Sequence, residues 1–287
     1  MQAPKNTPVW PLLAGALAMA SFVSMDATVK SLAPRYDALQ LAFFRFASGA
    51  LFAIALWARV RSPMPVRSEW RFHGWRIALL LGCLVGYFHA LTLLPLAQAV
   101  AMSYVAPIAT SLLAMLVLRE RPSPWIWLAL AFGVAGVGVA LWPELQEPAG
   151  SRQLEGLVAA GLSALAFSGV MILARRQAQR DSVWTILLLQ NVGPALLLAV
   201  PAALAWRPLD PGDLPVIALT GAFATVGLLS LTWAFTHLEA TRVAPLEYTS
   251  FVWAVLLGYL LFGEVPTATT AASAALIVAG CLLLLRR

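Results

Sequence analysis

Charge is scarce in this 287-residue chain. Asp, Glu, Lys and Arg together make up 11% of it and apolar residues 61%, where a soluble domain carries roughly 25% charged residues. Long polar stretches are missing too. Ten apolar runs of spanning length, each about 20 residues for a hydrocarbon core of about 30 Å, take up roughly two-thirds of the sequence and leave no room for a soluble domain. Cysteine is nearly absent. Cys83 and Cys281 fall inside predicted spans of different halves and read as small packing residues rather than a disulfide. No GxxxxGK[ST], HExxH, GxSxG or CxxC pattern occurs, so the chain offers no ATP-binding loop, metal-ligand cluster or nucleophile motif. A filter-like loop and a ring of like charges are also missing, which argues against a channel. The start of the chain has one lysine and no small-residue cleavage site, so the first span is expected to be retained rather than removed as a signal peptide.

What is present is a repeat. The stretch Pro245 to Pro266, PLEYTSFVWAVLLGYLLFGEVP, lines up without a gap on SYVAPIATSLLAMLVLRERP, Ser103 to Pro122, at an offset of 144 residues. Tyr104 falls on Tyr248, Glu120 on Glu264 and Pro122 on Pro266; Gly136 and Gly280 match at the same offset. Ser103 stands opposite Glu247, so the copies differ where a charge enters the membrane. Two units are expected, residues 1–143 and 144–287, with five spans each. GVAGVG in span five lies mid-span with no preceding strand, so it reads as close helix packing and not as a nucleotide loop. Ala271, Ala275 and Ala279 give span ten a similar small face.

Charged residues inside spans are the site candidates, because each is expensive in lipid unless it meets a partner or a water-filled cavity. Asp26, in span one, either pairs with Lys30 four residues on or lines a cavity. Arg45, two turns into span two, cannot shed its proton; it pairs with Asp26 or Glu247, or it meets an anionic substrate. Glu247, in span nine, forms a salt bridge to Arg45 or Arg242, or accepts the cationic group of a substrate or a proton. Tyr87 in span three, Tyr104 in span four, Trp233 in span eight and Tyr248 in span nine are the aromatic candidates for clamping a solute. His89 is either a proton carrier or a packing residue. Pro107 is expected to free a backbone carbonyl within span four. Gln190 and Asn191 form a polar pair in span seven and Ser163 and Ser168 are hydroxyls of span six, none of them carrying charge.

The connectors set an orientation. With the N-terminus cytoplasmic, fourteen Lys and Arg residues fall inside and four (Lys30, Arg35, Arg152, Arg207) outside, with Arg45 in the membrane. That bias satisfies the positive-inside rule and puts both termini in the cytoplasm. It also explains the net charge of +6 without nucleic acid, for which the basic loop ARVRSPMPVRSEWRFHGWR is a poor candidate. Five spans per unit is an odd number, so the second copy is inverted relative to the first. The expected fold is an all-α integral membrane protein of ten transmembrane helices in two inverted five-helix repeats. That architecture is typical of secondary transporters.

The duplicated unit, with its Arg-Glu-Arg-Pro and Gly-Glu-Val-Pro ends after spans four and nine, resembles the EamA family of the drug/metabolite transporter superfamily over nearly the whole chain. SFVSMDATVKSLAP and PLEYTSFVWAVLLGYLLFGEVP further resemble the branch with S-adenosylmethionine and riboflavin carriers and metallophore exporters. The resemblance implies a bacterial inner-membrane protein with a cavity built from spans one to four and six to nine, five and ten being peripheral. The first copy departs from the pattern: Arg119 stands where the second has Gly263, so a glycine hinge is expected in only one copy. The expected function is secondary transport of a small polar or zwitterionic metabolite by alternating access, with a proton-coupled drug exporter as the alternative. Neither enzyme activity nor a cofactor or metal is expected. The expected partners are the metabolite and the bilayer; proton coupling, and monomer or homodimer, are left open.

Overall fold

In the computed structural model, residues 9–93, 102–141, 151–263, 265 and 268–284 are described. Glu264 and Pro266 of the repeat lie outside them, as do Lys5, Arg286 and Arg287 of the charge count. The described chain is helical throughout: α1 (Val9–Leu32), α2 (Ala38–Val60), α3 (Trp70–Leu93), α4 (Ala106–Leu118), α5 (Pro124–Leu141), α6 (Ser151–Ala178), α7 (Val183–Leu204), α8 (Leu214–His237), α9 and α10 (Ala268–Leu283). Helix α9 comes in three pieces, α-helical Ala240–Val243, 3-10 Ala244–Tyr248 and α-helical Thr249–Phe262. Six of these elements are long and apolar enough to cross a membrane, and α4, α5 and α10 are shorter apolar helices. The surface is inside-out relative to a soluble protein. Leu51, Leu116, Leu196 and Leu204 are 70% or more exposed, which suits contact with lipid tails.

The offset of 144 seen in one stretch governs the whole backbone. Trp70 to Leu214 and Leu93 to His237 are both 144 residues, so α3 and α8 start and stop in register. Packing obeys the same rule. Helix α1 lies along α8, and their equivalents α6 and α3 lie along each other; α2 packs on α7, and α5 on α10. The α5–α10 seam contains one contact twice. A Cβ on Gly136 would sit 2.9 Å from the Ser273 carbonyl oxygen, and one on Gly280 would sit 3.1 Å from that of Ala129. Ala129 and Ser273 are themselves equivalent positions, and glycine is what lets the backbones approach. Ser24 and Ser168, another equivalent pair, each hydrogen-bond the carbonyl four residues back at 2.8 Å.

Two expectations change, and a third departure between the copies proves to be one of side chain only. Pro107 is not a mid-helix break: it is the second residue of α4, where the missing N–H would have had no partner anyway. Span nine is not one continuous rod. Pro245 opens a 3-10 turn because it can neither donate to nor fit beneath an α-helical carbonyl, and that turn carries Glu247. The backbone at Arg119 is not different from that at Gly263. Both are left-handed, at φ 56 and φ 69, and both close their helices, Arg119 N–H on Ala114 and Gly263 N–H on Gly258 and Tyr259. The arginine adopts a glycine conformation at a cost of about 1–2 kcal/mol.

Equivalent acids tie the repeats together at each end of the bundle. At the end rich in arginine, Glu69 receives Arg180 (2.8 Å) and Arg176 (3.4 Å). At the other end its equivalent, Asp213, accepts from the Tyr36 hydroxyl (2.6 Å) and pairs with Arg35 (2.6 Å).

Candidate functional site

A cavity of about 470 Å3 lies at the centre of the bundle, walled by residues of α1–α4 and α6–α9 and by none of α5 or α10. Its size is that of a small-molecule pocket, roughly 300–1,000 Å3. Most of the wall is apolar, with Met19, Phe22, Leu80 and Phe167 among it. Polar groups enter at separate places.

Asp26 reaches the cavity from α1 and Arg45 from α2. The Asp26 residue is exposed to the cavity and Arg45 is half-buried. Arg45 is near enough for its charge to act on Asp26, yet its buried Nε has no hydrogen-bond partner. Its guanidinium carbon lies 4.8 Å from the centroid of the Phe46 ring, a cation–π distance. The guanidinium is therefore held over an aromatic face with donor capacity left over.

Glu247 projects into the cavity from the 3-10 turn of α9, with 9% of the residue exposed. Its Oε1 is buried and accepts no hydrogen bond, and among the described residues no ion pair reaches it, so neither proposed arginine partner closes on it. The turn is pinned beneath it: Ser250 Oγ donates to the Glu247 carbonyl at 2.6 Å and also bonds the side chain of Tyr104. A buried acceptor with nothing to accept from costs about 1–3 kcal/mol, more when charged.

The aromatic candidates separate. Tyr87 and Tyr104 are half-buried and line the cavity. Tyr248 is 1% exposed and lies behind the wall; its ring stacks on Tyr104 at 5.7 Å and 20°, and its hydroxyl donates to the Tyr104 carbonyl at 3.1 Å. The 3-10 turn explains this, because successive side chains there point about 120° apart, so a residue next to Glu247 turns away. Trp233 is not in the cavity wall. It is 40% exposed and lies against His237, ring centroids 4.4 Å apart. The cavity face of α8 is Ala224, Leu228 and Leu231, and a residue two further on lies about 200° round a helix of 3.6 residues per turn. His89 is outside as well, exposed and 3.0 Å from Glu155.

Four further polar groups line the cavity. Arg76 is 3% exposed and donates to Gln177 Oε1 at 2.8 Å, with Nε unpartnered. Reading the Trp70–Arg76 stretch as a basic loop hid it, whereas α3 already begins at Trp70. Gln190 and Asn191 face the cavity from α7; Asn191 Nδ2 donates to Leu187 O at 2.8 Å while Gln190 Nε2 has no partner. Ser163 bonds the Cys83 carbonyl at 2.8 Å. An amide pair within an otherwise apolar run was the signal for the α7 residues.

The model of the EamA-like transporter family matches this chain twice, over residues 9–142 and 154–286. The chain belongs to the EamA-like transporter family. Among its relatives is the pseudopaline exporter of Pseudomonas aeruginosa, 30% identical over 285 residues that cover 96% of this chain and 95% of the relative. The riboflavin transporter of Rhizobium johnstonii is 27% identical, covering 97% and 90%. The S-adenosylmethionine uptake transporter of Rickettsia conorii is 24% identical, covering 91% and 87%. A solved crystal structure with 22% identity superposes with a TM-score of 0.80 over 95% of both chains, which supports the fold. This EamA-like protein is accordingly a multi-pass membrane transporter of small metabolites, and not an enzyme.

Proposed function

We propose that this EamA-like protein carries a small zwitterionic metabolite across the bacterial inner membrane by alternating access. The observation that carries the reading is that groups of opposite charge, Arg45 and Glu247, reach one cavity, each keeping a polar atom with no protein partner. A substrate with a carboxylate and a cationic nitrogen offers both partners at once. Tyr87 and Tyr104 then hold its body, and Asp26 sets the position of Arg45. The substrates named for the relatives, pseudopaline, riboflavin and S-adenosylmethionine, are small metabolites.

A second reading, a proton-coupled drug exporter, draws on the same Glu247 and on the largely apolar wall. The discriminating experiment is transport in proteoliposomes with a panel of zwitterionic metabolites and lipophilic cations, with and without a pH gradient. Saturable transport of a zwitterion supports the first reading. Transport confined to lipophilic cations, and only under a proton gradient, overturns it. Cytoplasmic termini and a repeat boundary between residues 143 and 144 belong to the same proposal. A cysteine placed between Ser62 and Ser68 is then labelled only from the cytoplasmic side, and labelling from outside in intact cells would sink that orientation.

A further inference from the structure

The arginine-rich end of the bundle holds a second cavity, of about 500 Å3, between the ends of α4 and α6 and the start of α9. Arg119, Arg121, Arg175 and Arg176 line it, against Glu120 and Glu239. Four guanidinium groups facing two carboxylates leave an excess of two positive charges. Two of the arginines are committed to the protein. Arg175 Nε lies 3.5 Å from Glu120, and Arg175 also donates to the Phe235 carbonyl. Arg176 pairs with Glu69 and lies over the Phe72 ring at 3.7 Å. Arg119 and Arg121 are exposed, and no ion pair reaches them among the described residues.

The second observation is what adjoins the arginines. On the preceding turns of α4, Leu112, Leu116 and Val117 are 47%, 77% and 62% exposed, so outward apolar side chains stand within two turns of the uncommitted pair. The third is the asymmetry between the repeats. Position 119 needs a left-handed backbone, and the second copy meets that need with Gly263; the equivalent of Arg121 is Val265. The first copy therefore places a cation where backbone geometry alone favours glycine.

We propose that this cavity is a binding site for an anionic phospholipid, its phosphodiester headgroup held by Arg119 and Arg121 and its acyl chain laid along Leu112 and Leu116. A soluble anion uses the arginines but not the apolar strip; a phospholipid uses both, and basic pockets at helix ends beside the membrane suit such headgroups. The next residue, Glu120, accepts the backbone N–H groups of Ala240 and Thr241 at 3.0 Å each. A lipid held on α4 at this point steadies the joint between the first repeat and the start of α9. The site is separate from the central cavity, and its existence does not depend on which solute is carried.

The test uses the full-length protein in detergent, with thermal stability and native mass spectrometry as readouts, and phosphatidylglycerol, phosphatidylcholine and inorganic phosphate as probes. Phosphatidylglycerol is expected to raise the melting temperature and to stay bound in the spectrometer, with phosphatidylcholine and phosphate at equal concentration doing neither. Arg119→Gly combined with Arg121→Gln is expected to weaken phosphatidylglycerol binding at least tenfold and to leave the lipid-free melting temperature nearly unchanged, since glycine suits the backbone at 119. Arg121→Gln alone, at an exposed side chain, is expected to weaken it several-fold and serves if the double variant does not fold. Equal stabilisation by phosphatidylcholine overturns the proposal. So does an equal response to phosphate, which makes this a soluble-anion site, or undiminished phosphatidylglycerol binding by either variant.

Discussion

The two repeats share a backbone and differ in what they place on it. Helices α3 and α8 agree to the residue at an offset of 144, the glycine contacts of α5 and α10 are exchanged between equivalents, and even a left-handed terminus recurs with arginine in place of glycine. The charges of the central cavity do not recur. Asp26, Arg45 and Glu247 have Val170, Leu189 and Ser103 at the equivalent positions. Shared packing gives two equivalent units, and the asymmetric charges give the central cavity between them a polarity. Packing is thus the shared property of the repeats, and chemistry is the property of one repeat at a time.

The strongest way to break this division is at Glu247. If the carboxylate is there for the solute and not for packing, Glu247→Gln leaves a folded protein with transport reduced on the order of 100-fold or more, in line with 2–5 kcal/mol for truncating a buried charged contact. The substrate then no longer raises the melting temperature. Ser103→Ala at the equivalent position is expected to leave transport within a few-fold of wild type. Comparable losses from both variants would mean that the repeats contribute alike. Transport by Glu247→Gln at the wild-type rate, with unchanged pH dependence, would remove Glu247 from the site.

The symmetric side of the comparison is tested at the α5–α10 seam. Gly136→Ala and Gly280→Ala each insert a methyl group against a partner carbonyl, and Cβ positions this close, 2.9 and 3.1 Å, force the helices apart. Each is expected to destabilise by about 1–3 kcal/mol, by similar amounts because the contact is the same one seen from either side. A large effect at one glycine with none at the other, measured by thermal unfolding in one detergent, would show that the seam is not symmetric in energy.

How far the sequence alone reaches follows the same line. The spans, their number and the repeat follow from apolar run lengths and a constant offset, which depend on residues one at a time or in fixed register, whereas the peripheral place of α5 and α10 comes only with the family resemblance. The break in α9 was harder to read, because Pro245 opening a run and Pro245 interrupting one look alike until the helix is known to start at Ala240. Residue chemistry alone marks Trp233 and Tyr248 as candidates and says nothing of direction; helical phase turns the first outward and the 3-10 turn swings the second behind the wall. Arg76 is hidden in the sequence because the basic stretch Trp70–Arg76 looks like a loop although it is the first two turns of α3, and Gln190 because it carries no charge.

A smaller effect is expected at Arg45, where charge and shape can be separated. Arg45→Lys keeps the cation and loses the planar fork over Phe46. If Arg45 holds a substrate carboxylate, the apparent KM rises on the order of tenfold, about 1.4 kcal/mol, with the melting temperature little changed. A lowered melting temperature with normal KM would instead make Arg45 a packing partner of Asp26. Leu189→Met, at the equivalent position, is expected to change neither.

The smallest effects separate the two latches. Glu69 and Asp213 are equivalent acids at opposite ends, but one meets two arginines and the other an arginine and a tyrosine. Burial pushes the Glu69 carboxyl up, and Arg176 and Arg180 together outweigh it and hold it below the usual carboxylate range. A depressed acid stabilises the fold above its unfolded value, about 4.3, and that stability is lost as pH falls through the folded value. At the other end, the hydrogen bond to Asp213 is the main reason the Tyr36 hydroxyl is held above its ordinary range. A raised group stabilises below its unfolded value, about 10, and that stability is lost as pH rises through the folded one. The Glu69 carboxyl thus makes one latch acid-sensitive, and the Tyr36 hydroxyl makes the other alkali-sensitive. Melting temperatures measured across pH in one detergent are expected to fall less steeply on the acid side for Glu69→Gln than for wild type, and less steeply on the alkaline side for Tyr36→Phe, each by a few degrees. Neither variant is expected to alter the slope on the opposite side. If Glu69→Gln and Tyr36→Phe flatten the same side of the profile, the latches are not the chemical opposites that their partners make them.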